Sequence, residues 1–296
     1  MDWDKLRIFY TVAQAQSLTK AGEMLAITQS AVSRQISALE ERLGISLFRR
    51  HARGLLLTEQ GEILFKTVCD MVSKLQATEV SLSELSNRPK GPFAITAPVT
   101  IGTIWLSPLL KEFSDLYPDI DITLLLDDRE LDLAMREADV AIRLRESKHP
   151  DLIQKQLISF SNSIYASNDY LREFGIPRNI DDLRHHHVLA YASHIDPPFD
   201  DVNWFLEHPQ VRELNLKPRI SMNNLSGLRR AVKAGMGIAA LPDHVMYRTR
   251  HISTIALDVP HPKTPAYYVY PSELKNSKRV AVFRSFIQRK MAEFNF

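Results

Sequence analysis

A helical head, one long connecting helix and a two-lobed α/β body make up the architecture this sequence predicts. Three observations carry it. The stretch TQSAVSRQISALEERLG, Thr28 to Gly44, shows two opposed stripes of helical period. An apolar row with steps of four and three runs from Leu64 to Leu85. Beyond the Pro- and Gly-containing segment Asn87 to Pro92, strand-like and helix-like stretches alternate, the pattern of parallel βαβ units.

The head comes first. Leu6, Phe9, Tyr10 and Ala13 follow helical spacing, so Asp4 to Gln16 reads as a helix. Ser17 or Thr19 caps a short second helix carrying Ala21, Met24 and Leu25. Thr28 caps a third, and Gly44 stops it. Val32, Ile36, Leu39 and Leu43 form the apolar stripe of this third helix. Ser30, Ser33, Arg34 and Ser37 form the other, short and polar with one arginine. Short side chains let a helix backbone approach a DNA major groove, and a few longer groups then reach base edges. Two short apolar runs follow, Ser46 to Phe48 and Leu55 to Leu57, flanking Arg49, Arg50, His51 and Arg53. They read as a β-ribbon wing with a basic tip, so the head reads as a winged helix-turn-helix over 1–58.

Thr58 then caps a long helix from Glu59 to about Asn87. Leu64, Val68, Met71, Leu75, Thr78, Leu82 and Leu85 make an a/d seam whose natural partner is the same helix of a second copy, favoured over a helix packed on its own domain. The expected dimerisation residues are Leu64, Val68, Met71, Leu75, Leu82 and Leu85, in a linker of 59–88.

The body, 89–296, predicts strands at Phe93 to Ala97, Asp121 to Leu126 and Val140 to Leu144, with helices at Trp105 to Leu116 and Leu131 to Glu137. A second set has strands at Ser163 to Ala166, Val188 to Tyr191, Arg219 to Met222 and Ile238 to Leu241. Its helices are Asp169 to Phe174 and Leu225 to Ala234; a strand at Ala266 to Tyr270 and a helix at Arg279 to Phe294 close the chain. Two lobes are expected, 91–161 with 268–296 and 162–267, joined by crossings near Phe160 to Ser163 and Tyr267 to Tyr270.

Composition bounds the function. A chain of 296 residues with 45% apolar and 24% charged residues is an ordinary globular one of two or three domains. No apolar run approaches a membrane span, and MDWDKLR leads into a helix without a signal-peptide core. A cytoplasmic location is expected. The single cysteine, Cys69, excludes an internal disulfide. Net charge is only +2, yet the first 60 residues carry eight Lys/Arg against six Asp/Glu, while the other 236 carry 29 of each. The excess lies where a duplex would dock. No GxSxG, HExxH, Walker or GxGxxG pattern occurs, so neither catalysis nor a cofactor is expected. His185, His186 and His187 do not share one face, so solvated imidazoles are favoured over a metal site.

The segments LRIFYTVAQAQSLTKAGEMLAITQSAVSRQISALEERLGISLFRR and GLLLTEQG resemble the winged helix-turn-helix of the LysR-type transcriptional regulators. The rest resembles that family's effector domain, which is like periplasmic binding proteins. RHARGLLLTEQGE and ELDLAMREADVAIRLR resemble an alphaproteobacterial, LsrB-like branch. The resemblance implies a dimer of dimers on bent double-stranded DNA, controlled by an effector between the lobes. Expected partners are double-stranded DNA, an unknown small molecule, RNA polymerase and further copies of the chain. The expected DNA contacts are Thr28, Gln29, Ser30, Ser33 and Arg34 for the groove, with Arg50 and Arg53 on phosphate or minor groove.

Open α/β sheets bind ligands at the carboxyl ends of strands. That rule selects Pro98, Val99 and Thr100, where the resemblance also implies contacts, then Leu126, Asp127 and Arg143. In the other lobe it adds His194, Ile195, Asp196 and the turn at Met236. Arg143 reads equally as an inter-lobe ion pair with Asp127 or Asp128. Two other functions stay open: a small-molecule binder or enzyme whose head only dimerises, and redox control through Cys69.

Overall fold

The computed structural model describes residues 2–51, 54–83, 88–192 and 194–293. The chain divides into two compact units, Met1–Leu82 and Ser83–Phe296, so the long helix groups with the head.

In the first unit, α1 (Trp3–Ala15), α2 (Leu18–Leu25) and α3 (Gln29–Leu43) are each capped by a side chain, from Asp2, Ser17 and Thr28. Gln16, Ala26 and Gly44 end them in the left-handed region. Leu6, Phe9, Val12, Ala21, Val32, Ile36 and Leu39 fill one core with Leu47 and Val68. The hairpin pairs β1 (Phe48–His51) with β2 (Gly54–Leu57). Its first strand starts later than the expected Ser46, because the Glu40 carboxylate accepts the N–H groups of Leu47 at 2.7 Å and Phe48 at 3.2 Å. Arg49 and Arg50 therefore lie in the strand, and Arg53 falls outside the described residues.

Helix α4 (Glu59–Ser83) begins at the expected cap, where Thr58 Oγ1 accepts from Gly61 N at 3.0 Å. The seam expectation is corrected at its start. Val68 is fully buried and Leu64 packs on the same core, so both serve the head's own interior. Met71 and Leu75 are exposed. The side chain of Leu82 and all of Leu85 lie outside the described residues.

The second unit is built on a seven-stranded sheet. β3 (Gly91–Ala97) pairs in parallel with β4 (Ile120–Leu126) and with β5 (Val140–Arg143). β11 (Lys263–Pro271) returns antiparallel between β5 and β6 (Leu152–Ser167). The sequence predicted only the last residues of β6, because Gln154, Lys155 and Gln156 mask its apolar alternation. β6 leaves β11 after Ser161 and pairs onward with β9 (Ala239–Pro242) and β10 (Ile252–Ile255). The lobes thus part at Ser161–Asn162 and Pro262–Lys263, earlier on the return strand than the expected Tyr267. β7 (Leu189–Tyr191) and β8 (Ile220–Met222) extend the second lobe, tied to it by a bridge from Val188 to Ile238.

Helices α5 (Ser107–Leu116) and α11 (Lys278–Glu293) serve the first lobe. α6 (Asn168–Phe174), α7 (Trp204–Glu207), α8 (Pro209–Glu213), α9 (Leu225–Lys233) and α10 (Asp243–Met246) serve the second. A π-helical segment, Ile101–Leu106, precedes α5. Phe93, Phe113, Phe283 and Phe286 pack as tilted and edge-on rings beneath β3. The expected helix Leu131 to Glu137 is absent. Asp132 Oδ1 accepts from Ala134 N and Met135 N instead, and Arg136 turns left-handed at φ 59°. A short acidic side chain has outcompeted the helix for its own backbone.

Candidate nucleic-acid interface and inter-lobe cleft

Helix α3 is held by one face. Val32 and Leu39 are fully buried, while Thr28, Gln29, Ser30, Arg34 and Ser37 are exposed and Ser33 is half-buried. Thr28 Oγ1 is spent locally, accepting from Ala31 N at 3.2 Å and lying 3.0 Å from Ser30 Oγ. Among the described residues, Gln29 and Arg34 make no side-chain hydrogen bond or ion pair, so both enter the open first turns unspent. The free N–H groups of that turn add positive potential for phosphate. The side chain of Arg50 is outside the description.

Glu40 was missed as a functional residue. Its carboxylate is turned toward the start of the hairpin and ties it to α3. Glu40→Ala should cost about 2 kcal/mol, the worth of hydrogen bonds to a charged group. Amide exchange should then quicken at Leu47 and Phe48. Unchanged exchange there would refute the role.

In the body, Pro98, Asp127 and Arg143 line one small inter-lobe cavity of about 20 Å³, together with Asp128, Arg129, Glu130 and Pro198. That volume holds about one water, so the gap is tight at this point, while a larger cavity of about 280 Å³ lies between the lobes at Arg145, Asn162, Asp200 and Lys263. Three ties join the lobes here, through Asn224, His244 and Asp196 of the second lobe. Asp128 accepts from Val99 N at 3.0 Å and from Asn224 Nδ2, at the α9 N-cap, at 3.0 Å. Thr100 Oγ1 lies 3.5 Å from His244 Nε2. Arg145 Nη1 meets Asp196 at 3.6 Å and Arg145 also donates to the Pro197 carbonyl. Burial, partly offset by these hydrogen bonds, pushes the Asp128 carboxyl up.

Several expected site residues move. Arg143 pairs with neither Asp127 nor Asp128; its Nη1 is 3.3 Å from Glu130 and its Nη2 donates to Leu131 O at 2.8 Å, within its own lobe. Asp127 belongs to Arg129, whose guanidinium holds it below the usual carboxylate range. Leu126 packs on the π-helix at Gly102 rather than lining the cavity. Met236 sits beside α6, since its neighbour Gly235 faces Ser167 and Tyr170. Asn224, which meets the cleft, caps the opposite end of α9, and nine helical residues span about 13 Å. His194 and Ile195 are exposed and outside the cavity lining. The histidine run is not simply solvated: His186 Nδ1 is 3.2 Å from Tyr170 Oη. Cys69 is buried on α4.

His244 was also missed. Its ring lies tilted against Phe160 on β6 with centroids 4.3 Å apart, its Nδ1 has no hydrogen-bond partner among the described residues, and burial pushes its pKa down to about 3. An unfolded histidine titrates near 6.5. Between these values the unfolded chain binds the extra proton, so stability falls as pH drops from about 6.5 toward about 3. Acid unfolding of His244→Leu should show a shallower loss over that window; an identical slope would rule the residue out as its source.

Residues 3–62 match the bacterial regulatory helix-turn-helix protein, lysR family, and residues 86–292 match the LysR substrate binding domain. The chain belongs to the LysR family. It is a LysR-type DNA-binding transcriptional regulator with an effector-binding domain. An HTH-type transcriptional regulator of Xanthomonas campestris is 30% identical over 243 residues, 82% of this chain and 71% of that one. CrgA of Neisseria meningitidis is 27% identical over 292 residues, 97% and 96% of the two chains. The solved CrgA structure, at 24% identity, covers 98% of this chain and 99% of its own with TM-score 0.59. Full-length CbnR, solved in complex with its target DNA, covers 98% and 100% at 19% identity and TM-score 0.64. These structures share the LysR fold. The finer branch rests on the two sequence phrases alone. Among the described residues no helix is long and apolar enough to cross a membrane.

Proposed function

We propose that this LysR-type regulator reads its operator with Gln29, Ser30, Ser33 and Arg34, while Arg50 and Arg53 hold phosphate. The observation that carries the reading is the unspent, exposed pair Gln29 and Arg34 on a helix whose opposite face is locked in the core. Two copies joined through α4 from Met71 onward would present two such helices to two half-sites. The dimer of dimers, RNA polymerase contact, cytoplasmic location and absence of catalysis belong to the same proposal. A small effector enters between the lobes at Val99, Asp128 and Asn224 and changes the lobe angle, shifting the spacing of the bound helices.

The test is a mobility shift on the protein's own upstream region across a salt series. Binding should weaken steeply with salt, as phosphate neutralisation requires. Salt-insensitive binding, or none, would favour the alternative of a ligand-binding protein or enzyme whose head only dimerises.

A further inference from the structure

The charges around the cleft do not balance evenly. Arg129 is satisfied by Asp127 at 3.0 Å, Arg143 by Glu130 at 3.3 Å, and Arg145 by Asp196 at 3.6 Å. Among the described residues, Asp128 is the cavity-lining carboxylate without an ion pair. Its two partners, the Val99 N–H and the Asn224 amide, are neutral. The remaining charge at the centre of the cleft is therefore negative. A second group there is incomplete. Arg143 is 7% exposed, lines the same cavity, and keeps its Nε without an acceptor, although its two terminal nitrogens are engaged. One ligand completes both: a cation beside Asp128 and an oxygen acceptor for Arg143 Nε.

We propose that the cleft takes a small cationic amine that also carries an oxygen acceptor, with the ammonium on Asp128 and the oxygen on Arg143. The inference rests on the cleft being the effector site. An acidic effector is disfavoured on two counts. The donors suited to an anion, the Val99 N–H and the Asn224 side-chain amide, are already occupied by a resident carboxylate, and among the described residues no guanidinium lining the cavity is free of an acid. An ammonium gains a charge-assisted bond that a neutral analogue lacks. The cavity of about 20 Å³ requires the lobes to part for entry. The amine then takes over Asp128, releasing Asn224 and with it one tie between the lobes.

The test uses the full-length protein in thermal-shift and calorimetric titrations. Ethanolamine and L-serine carry both features, ethylene glycol lacks the amine, putrescine lacks the oxygen, and glycolate and succinate are acidic. The two complete compounds should stabilise the wild type at millimolar concentration, and Asp128→Asn should weaken them roughly tenfold or more. Putrescine should bind more weakly, and ethylene glycol not at all. Binding of ethanolamine that Asp128→Asn leaves intact would overturn the assignment. Stabilisation by succinate that the variant enhances would also overturn it, showing Asp128 as a stand-in for an acidic effector and leaving the cleft reading standing. If no probe of either charge shifts wild type or variant, the cleft reading falls as well.

Discussion

Arg34→Ala should sharply weaken operator binding while leaving self-association untouched. The side chain is exposed and without an ion pair among the described residues, so its removal uncovers no core and strands no buried partner. Its worth lies in DNA contact. A bidentate guanidinium on guanine is worth about 1–3 kcal/mol, and a dimer loses it at both half-sites. Specific affinity should drop by roughly thirtyfold to twenty-thousandfold. Arg34→Lys restores little if the contact is bidentate, because an ammonium has no fork. A phosphate contact instead would lower specific and non-specific affinity alike and reduce the salt slope by about one per arginine. Undiminished operator binding by the alanine variant, with sedimentation unchanged, would end the groove reading.

Gly61→Val should unfold the head. Gly61 is buried in the first turn of α4, and a Cβ built there overlaps the carbonyl oxygen of Leu47 and touches Leu57. Backbone cannot swing aside as a side chain can. Overpacking costs about 1–3 kcal/mol where side chains give way, so about 3 kcal/mol or more is expected here. The head's melting transition should fall sharply and operator binding should vanish, while the effector domain's transition stays in place. Gly102→Ala is the contrasting case, since its new Cβ would meet the Leu126 side chain rather than backbone, and a side chain can shift where backbone cannot. A head that melts normally with valine at position 61 would show that the helix shifts away from Leu47.

Much of the head was legible because local signals agree. Thr28, the apolar stripe through Val32 and Leu39, and Gly44 all specify the same helix, and burial follows the stripe. The seam was half legible. Heptad spacing reports that residues share a face, but not what covers it, and Val68 found its partners in the head itself. The body's strands were visible where apolar residues cluster, as in β3, and hidden where polar ones interrupt, as in β6. Site residues set by contacts between distant positions were least legible. Asp128 and Asn224 lie 96 residues apart, and His244 meets Thr100 across 144. Spacing along the chain carries no trace of such encounters. The charges of Arg143 and Asp127 were visible, but not which acid or base each would choose.

The late return of β11 bears on how the chain is made. β5 ends at Arg143 and its outer neighbour begins only at Lys263. At ribosomal speeds of roughly 5–20 residues per second, that gap leaves a naked hydrogen-bonding edge for on the order of ten seconds. The second lobe has all its strands before Lys263, but the first cannot finish folding until β11 and α11 have been synthesised, because they complete it and arrive after the second lobe. Maturation of this regulator is therefore governed by long-range strand capture, a slow class of event, and nascent chains cut short before Lys263 are primed to aggregate.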